Sequence, residues 1–359
     1  MKPLFVVLLL LALVVVVCMC TQTIHNSHNG EGAVKNTTIV PYLNHPIEKG
    51  KNLLFCSTFQ IAWNELKETI IKEEIKLVEE SGIVDNLNSG VSSKNDLSES
   101  DYVAHAGFGK DDILETINGE LRKKFKENAP TLDEVLTDTD ILAYAYLYKN
   151  LRFITEFEEI EKPLFFSPNG EGKDVRSFGI QKFNPEDHSE IAKQVSILSY
   201  VDDLDFILSL SSDSPYDEII LAMVKPEKTL LETITKVNER IEKTTPGSLK
   251  EDDVLKIPKV SFEAKHSYDE LVGKFLKNEG FTDYFIAKAI QNTRFQLNQK
   301  GAIVESEAEI YLKKNGGEER YLVFSQPFLL MLREKGRTYP YLAIWFNDPE
   351  LFELYEEKD

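Results

Sequence analysis

From Thr139 onward the chain is a series of short apolar runs, most of strand length, broken at uneven intervals by turn residues. "LDFILSLSS" and "EIILAMVKP" are two such runs, split by the turn signal "DSPYD". "ILAYAYLYKNLRF", rich in Tyr and Leu, reads as a buried central strand. "DDVLKIPKVSFEAKHSY" reads as a strand pair, with Pro258 at a strand start or edge because proline lacks a ladder donor. Two patterns in this half have helical spacing: "TLLETITKVNERIEK", and "SYDELVGKFLKNEGF", which ends near Gly280. The remainder is strand-rich up to "YPYLAIWFNDPELF". Strands and helices in clusters, without regular βαβ alternation, predict an α+β fold.

The first half has the opposite emphasis. Asn52 to Glu80 places Leu66, Ile70, Ile71, Ile75 and Val78 on one helical face, with carboxylates and lysines between them. Gly82 to Ser100 is rich in Ser, Asn, Gly and Asp and reads as a loop or insertion. "GKDDILETINGELRKKF" predicts a second amphipathic helix. At 359 residues with 42% hydrophobic content, the chain can bury a sizeable core in one large domain or two ordinary ones.

The N-terminus places Lys2 before an apolar run from Leu4 to Val17, followed by Cys18-Met19-Cys20-Thr21. The small residues around Met19 suit signal-peptidase cleavage after Cys20, so 1–20 is a candidate signal peptide; the run is nearly long enough to act instead as an uncleaved anchor. Residues 21–50 read as a flexible polar leader, and 51–359 as the folded domain. Cleavage would leave Cys56 as the sole cysteine, in an apolar setting that predicts a buried, inert thiol. Asn36 in "NTT" is a candidate glycosylation site. A secreted or surface-held monomer follows from this reading, membrane-attached only if the apolar run is retained. The net charge of −19 argues against nucleic-acid partners.

No catalytic constellation emerges. His25, His28 and His45 lie in the leader, and His105 could join Asp111 and Asp112, but neither group completes a metal set. Asp202-Asp203 and Asp252-Asp253 are adjacent acids, a pattern expected of a solvated face or a helix N-cap. Trp63 and Trp345 sit among apolar residues, as core side chains do. The expectation is a protein that is not an enzyme and needs neither cofactor nor metal.

Four stretches in order resemble the serpin family. "IPKVSFEAKHSYDELVGKFLKNEGFTDYF" resembles its Pro-Lys strand, following helix and Gly-aromatic-x-x-x-Phe segment. "NLLFCSTFQIAWNEL" resembles the family's Asn-hydrophobic-Phe-Ser-Pro helix start, with Cys56-Ser57-Thr58 in place of Ser-Pro-x. "YAYLYKNLRFITEF" resembles its Tyr-Phe-Lys-Gly-x-Trp strand, with Asn150-Leu151-Arg152-Phe153 departing from it. "YLVFSQPFLLMLREKGRTYPYLAIWFNDP" resembles its Pro-Phe hairpin and final strand. The resemblance implies a large mixed or antiparallel sheet with further strands and surrounding helices. It also implies that Phe55, Trp63, Leu147, Phe206, Leu208, Phe328, Leu330 and Trp345 are buried. The stretch before Thr139 is too short for every helix and strand the family would place there.

The resemblance makes the segment between "QKGAIVESEAE" and "VFSQPF" the reactive loop. An inhibitor of this family needs small residues at the start of that loop, because the segment later enters a crowded sheet. Here the hinge equivalents are Glu307, Ala308, Glu309 and Ile310, followed by bulky or charged Tyr311, Leu312, Lys313 and Lys314. The connection is about seven residues shorter than the resemblance implies, roughly 25 Å of extended chain. "KKNGGEE" reads as a hairpin turn. The expectation is a non-inhibitory binding module with a protein partner. The alternative is an active inhibitor of a trypsin-like serine or a cysteine protease, offering Arg320 before Tyr321, or Lys313 or Lys314.

Overall fold

The computed structural model describes residues 34–168, 170, 172–301 and 320–356. The candidate signal peptide 1–20, leader residues 21–33, the hinge equivalents Glu307 to Ile310, and Lys313 and Lys314 lie outside the described residues. The described part belongs to one compact unit, Gly32–Asp359. In chain order it contains β1 (Thr37–Val40), β2 (Asn52–Cys56), α1 (Thr58–Glu65), α2 (Gly82–Asn88), β3 (Tyr102–Phe108), α3 (Ile113–Phe125) and β4 (Ile141–Leu147). There follow β5 (Glu158–Phe166), β6 (Lys173–Ile180), α4 (Ser189–Ala192), β7 (Val195–Asp202), β8 (Asp205–Leu210), β9 (Asp217–Met223) and α5 (Leu230–Glu242). The last six are β10 (Val254–Pro258), β11 (Val260–Ser267), β12 (Ile290–Leu297), β13 (Tyr321–Val323), β14 (Phe328–Glu334) and β15 (Leu342–Phe346).

The fold is α+β, as the clustered pattern predicts. A seven-stranded sheet has the order β1-β2-β15-β14-β9-β8-β7. Its inner strands β2, β15, β14, β9 and β8 are almost continuously buried because both faces are covered. Phe206, Leu208, Leu221, Leu330 and Ile344 enter one core, and their neighbours Ile207, Ile220, Leu329 and Trp345 enter another with Leu230, Ile234 and Val237 of α5. That helix starts where Thr229 accepts a bond from the Glu232 N–H at 3.2 Å, and its apolar residues recur every three or four positions. A four-stranded sheet, β13-β10-β6-β5, lies across the first core. Phe328 sits at the centre of that core, its ring 4.8–6.3 Å from those of Phe166, Phe324, Phe346 and Phe352. Strands β3-β4 and β11-β12 form two separate hairpins.

Several expectations need correction. The leader is folded from Thr37, since β1 pairs in parallel with β2, and Val40 and Leu43 are buried. The predicted Asn52 to Glu80 helix opens as strand β2, is α-helical over α1, continues as a π-helix over Leu66–Ile71, and stops at Lys72 with φ 62°. Val78, placed on its buried face, is 64% exposed. The supposed loop at 82–100 contains α2, which buries Ile83, Val84 and Leu87. The helix expected to end near Gly280 is a set of turns and isolated bridges, with Leu77 opposite Leu276 and Phe275 opposite Phe285. Strands β10 and β11 are consecutive but do not pair; they join β6 and β12 respectively. Strand β4 is half-buried throughout, and Leu147 with it, whereas the other seven expected core residues are buried.

Lys149, just beyond β4, ties that hairpin to the large sheet. Its Nζ lies 2.5 Å from Asp101, 2.9 Å from Asp217 of β9 and 3.0 Å from Glu334 of β14. Burial alone would lower its pKa, but hydrogen bonds to Asp101, Asp217 and Glu334 outweigh that and raise it. In the four-stranded sheet, Gly179 of β6 has φ 151°, and a Cβ there would overlap the Leu255 carbonyl oxygen of β10. Gly179→Ala is expected to cost about 2–3 kcal/mol, read as a shift in the denaturation midpoint at unchanged slope. An unaltered midpoint would mean that β6 and β10 are farther apart.

Candidate functional site

The site begins where β12 ends and closes where β13 starts. At the first end, Lys300 and Gln299 accept bonds from the Phe153 N–H (3.2 Å) and the Phe157 N–H (2.9 Å), fixing the chain beside the segment that follows β4. At the second end, Arg320 is clasped. Its Nε donates to Asp253 at 3.0 Å, an Nη donates to the second oxygen of the same carboxylate, and an Nη donates to the Ser248 carbonyl at 3.1 Å. The Asp253 side chain is 1% exposed and that of Arg320 15%. This forked pairing fits a planar guanidinium to a carboxylate. The Arg320 guanidinium also lies over the Tyr200 ring, 5.4 Å from its centre.

Tyr321 follows at once and opens β13, parallel to β10. Its N–H donates to Asp203 at 2.9 Å, and the same oxygen accepts the Tyr200 hydroxyl at 2.6 Å. Burial, and then that bond to Asp203, push the Tyr200 phenol up to about 12. The two acid pairs expected on solvated faces therefore supply the clasp: Asp253 pairs with Arg320, Asp203 holds Tyr321, and Asp252 pairs with Lys182 at 2.7 Å. Sequence reasoning missed these roles because Asp253 and Arg320 are 67 positions apart and meet only when two parallel strands start side by side.

The second feature lies between the hairpins. Helix α1 packs against β3, β4 and β12. The charge of Arg294 on β12 reaches Tyr146 on β4, whose phenol is raised first by burial. Among the described residues, β4 pairs with β3 alone and β12 with β11 alone. Each of these two strands therefore has a single ladder partner among the described residues.

The remaining candidates are dispersed. His105 bonds Glu120 at 2.5 Å rather than meeting Asp111 and Asp112. His188 bonds Glu158 at 2.7 Å, and His266 is half-buried, its pKa lowered by burial. No group of ligating side chains suited to a metal occurs among the described residues. Cys56 is buried, and burial pushes its thiol pKa up. Asn36 is exposed at the entry to β1. Among the described residues no helix is long and apolar enough to cross a membrane.

No family model matches the chain, and no curated protein sequence matches it. Solved structures do. Thyroxine-binding globulin in complex with thyroxine superposes at a TM-score of 0.51 with 12% identity, covering 84% of this chain and 93% of that one. The human thyroxine-binding globulin structure gives 0.50, again at 12% identity, covering 84% and 92%. A highly specific serpin of the insect Tenebrio molitor gives 0.46 at 12% identity, with the same coverage. The chain has a serpin-like fold, as the ordered motifs imply. Proteins of this fold include both inhibitory and non-inhibitory ones, and are for the most part inhibitors or binding proteins, not enzymes.

Proposed function

We propose that this protein is an exported, serpin-fold binding module that engages another protein without suicide inhibition. The observation that carries the reading is the clasp. Arg320, the residue a trypsin-like protease would seek beside Tyr321, is paired with buried Asp253, and Tyr321 is already in a strand. A protease cleft needs an extended chain that can be lifted from its scaffold, and this bond is tied down on both sides. The sequence before it supports the same reading, because Tyr311 to Lys314 replace the small residues that sheet entry requires.

The single ladder partners of β4 and β12 favour a second reading, the active inhibitor, since each strand could accept an added neighbour. Mixing the intact protein with serine and cysteine proteases and running a denaturing gel separates the two. Simple cleavage is expected. A stable covalent complex would overturn the binding-module reading. With trypsin, peptide masses are expected to show cuts after Lys313 or Lys314 and none after Arg320, while Asp253→Ala opens the Arg320–Tyr321 bond. Early cutting after Arg320 in the unmodified chain would remove the clasp from the argument.

A further inference from the structure

His188 fastens the 181–188 turn to the four-stranded sheet through both of its ring nitrogens. The Asn184 N–H donates to Nδ1 at 3.0 Å, so Nδ1 is the nitrogen without a proton. Nε2 therefore carries the proton and donates to Glu158 of β5 at 2.7 Å. The other oxygen of Glu158 accepts the Gln181 N–H at 2.9 Å, so one carboxylate holds the turn at both ends. The same turn braces the Arg320 clasp. The Phe183 N–H donates to the Asp253 carbonyl at 2.7 Å, the Phe183 carbonyl accepts the Asp252 N–H at 2.9 Å, and Lys182 pairs with Asp252 at 2.7 Å. Asp252 has φ 73°, a left-handed conformation that costs energy in any residue but glycine and persists because its surroundings hold it. Asp253, next in the chain, is the carboxylate that takes Arg320.

We propose that His188 is a proton-operated latch on the Arg320 clasp, closed while the ring is neutral and released when the ring takes up a proton. This rests on the clasp as read above and adds its regulation. Imidazoles change charge between about pH 5 and pH 8. A proton on Nδ1 sets two donors against each other, and the Asn184 N–H loses its acceptor. The ring stays where it is, because its new charge strengthens the bond to Glu158. The turn yields instead, Phe183 no longer braces Asp252 and Asp253, and the Arg320–Tyr321 bond opens to attack. Among the described residues no other side chain bonds the ring. The remaining charges on the elements packed with it are Glu186, Asp187 (bonded by the Asn184 amide), Glu190 (paired with Lys193) and Asp252 (paired with Lys182).

The test compares the full chain at about pH 5.5 and about pH 8 by two readouts. Hydrogen exchange, corrected for its intrinsic pH dependence, reads the amides of residues 181–188. Tryptic cutting after Arg320, normalised to trypsin's turnover of a small substrate at the same pH, reads the clasp. Both rates are expected to be about 10-fold higher at the lower pH, as the loss of one hydrogen bond implies. His188→Gln, which cannot take up a proton, is expected to abolish both differences. His188→Asn, whose amide oxygen can stand where Nδ1 does, is the second variant, and melting curves show whether each is folded. Unchanged exchange in the unmodified chain overturns the latch, and so does a difference that persists in either folded variant, since another group would then be the sensor. Opening of the turn without faster cutting after Arg320 overturns its link to the clasp. Fast cutting after Arg320 already at pH 8 would sink the clasp reading instead, and hydrogen exchange would still judge His188 by itself.

Discussion

Cutting the 302–319 connection with trypsin is expected to leave the melting temperature unchanged or to lower it. In an inhibitor of this fold the cleaved segment becomes a new strand, and the product gains much heat stability. Here such a strand would have to pair with β4 or β12, each of which has one ladder partner among the described residues. Lys313 and Lys314 are adjacent, and successive side chains of a strand point to opposite faces. Whatever the register, one of them would enter the side covered by α1. An unpaired ammonium buried there costs several kcal/mol, enough to cancel what the added ladder contributes. A nick that supplies no strand only relaxes the chain ends, and the Arg320 clasp holds the distal end where it was. The experiment compares melting curves of intact and nicked protein, with the cut placed by mass. A rise of tens of degrees would mean that the segment inserts, and the inhibitor reading would replace the one proposed.

What was legible in the sequence is whatever depends on local pattern. β8, β9, β14, β15, α3 and α5 coincide with runs whose spacing or composition is decisive within a dozen residues. The elements misread are those whose partners are remote. Residues 267–281 carry helix-like spacing, yet Leu276 meets Leu77 across a bridge that no local window contains, and Phe275 meets Phe285 beyond the end of that run. β1 lies in polar sequence and is a strand because β2 supplies its ladder. β4, rich in Tyr and Leu, looked central. Its tyrosines instead form a half-buried face under α3, where burial pushes the Tyr144 phenol up to about 12. The candidate site follows the same rule. Arg320 and Tyr321 could be singled out from sequence, whereas Asp253, Asp203 and Tyr200 acquire their roles only through strand placement.

Lys149→Met is expected to be among the most damaging single substitutions in the chain, costing about 3–5 kcal/mol. The side chains of Asp217 and Glu334 are 4% and 5% exposed, and Lys149 is the cation between them. Both acids have other donors: Ser214 (2.5 Å) and the Tyr341 hydroxyl (3.0 Å) for Asp217, and the Ser98 N–H (2.6 Å) and hydroxyl (2.9 Å) for Glu334. Those neutral groups satisfy oxygen lone pairs but do not balance charge, so removing the ammonium leaves two like charges buried together. Methionine keeps most of the volume, which separates this loss from a cavity effect. Asp101, 29% exposed at the rim, is expected to matter far less, under about 1 kcal/mol when replaced by Asn. The pH dependence has a definite sign. The folded pKa of Lys149 is raised above its ordinary value of 10.5, so its contribution is fully present below that value and fades as pH rises through the folded one. The stability gap between the unmodified protein and Lys149→Met should therefore hold steady from about pH 8 to pH 10 and narrow as the pH rises above the ordinary lysine value. Denaturant titrations of both proteins across that range measure the gap directly, and taking the difference cancels tyrosine ionisation common to the two. A gap under about 1 kcal/mol at pH 8, or one that widens as the solution becomes alkaline, would show that the ammonium is not what holds the hairpin to the sheet.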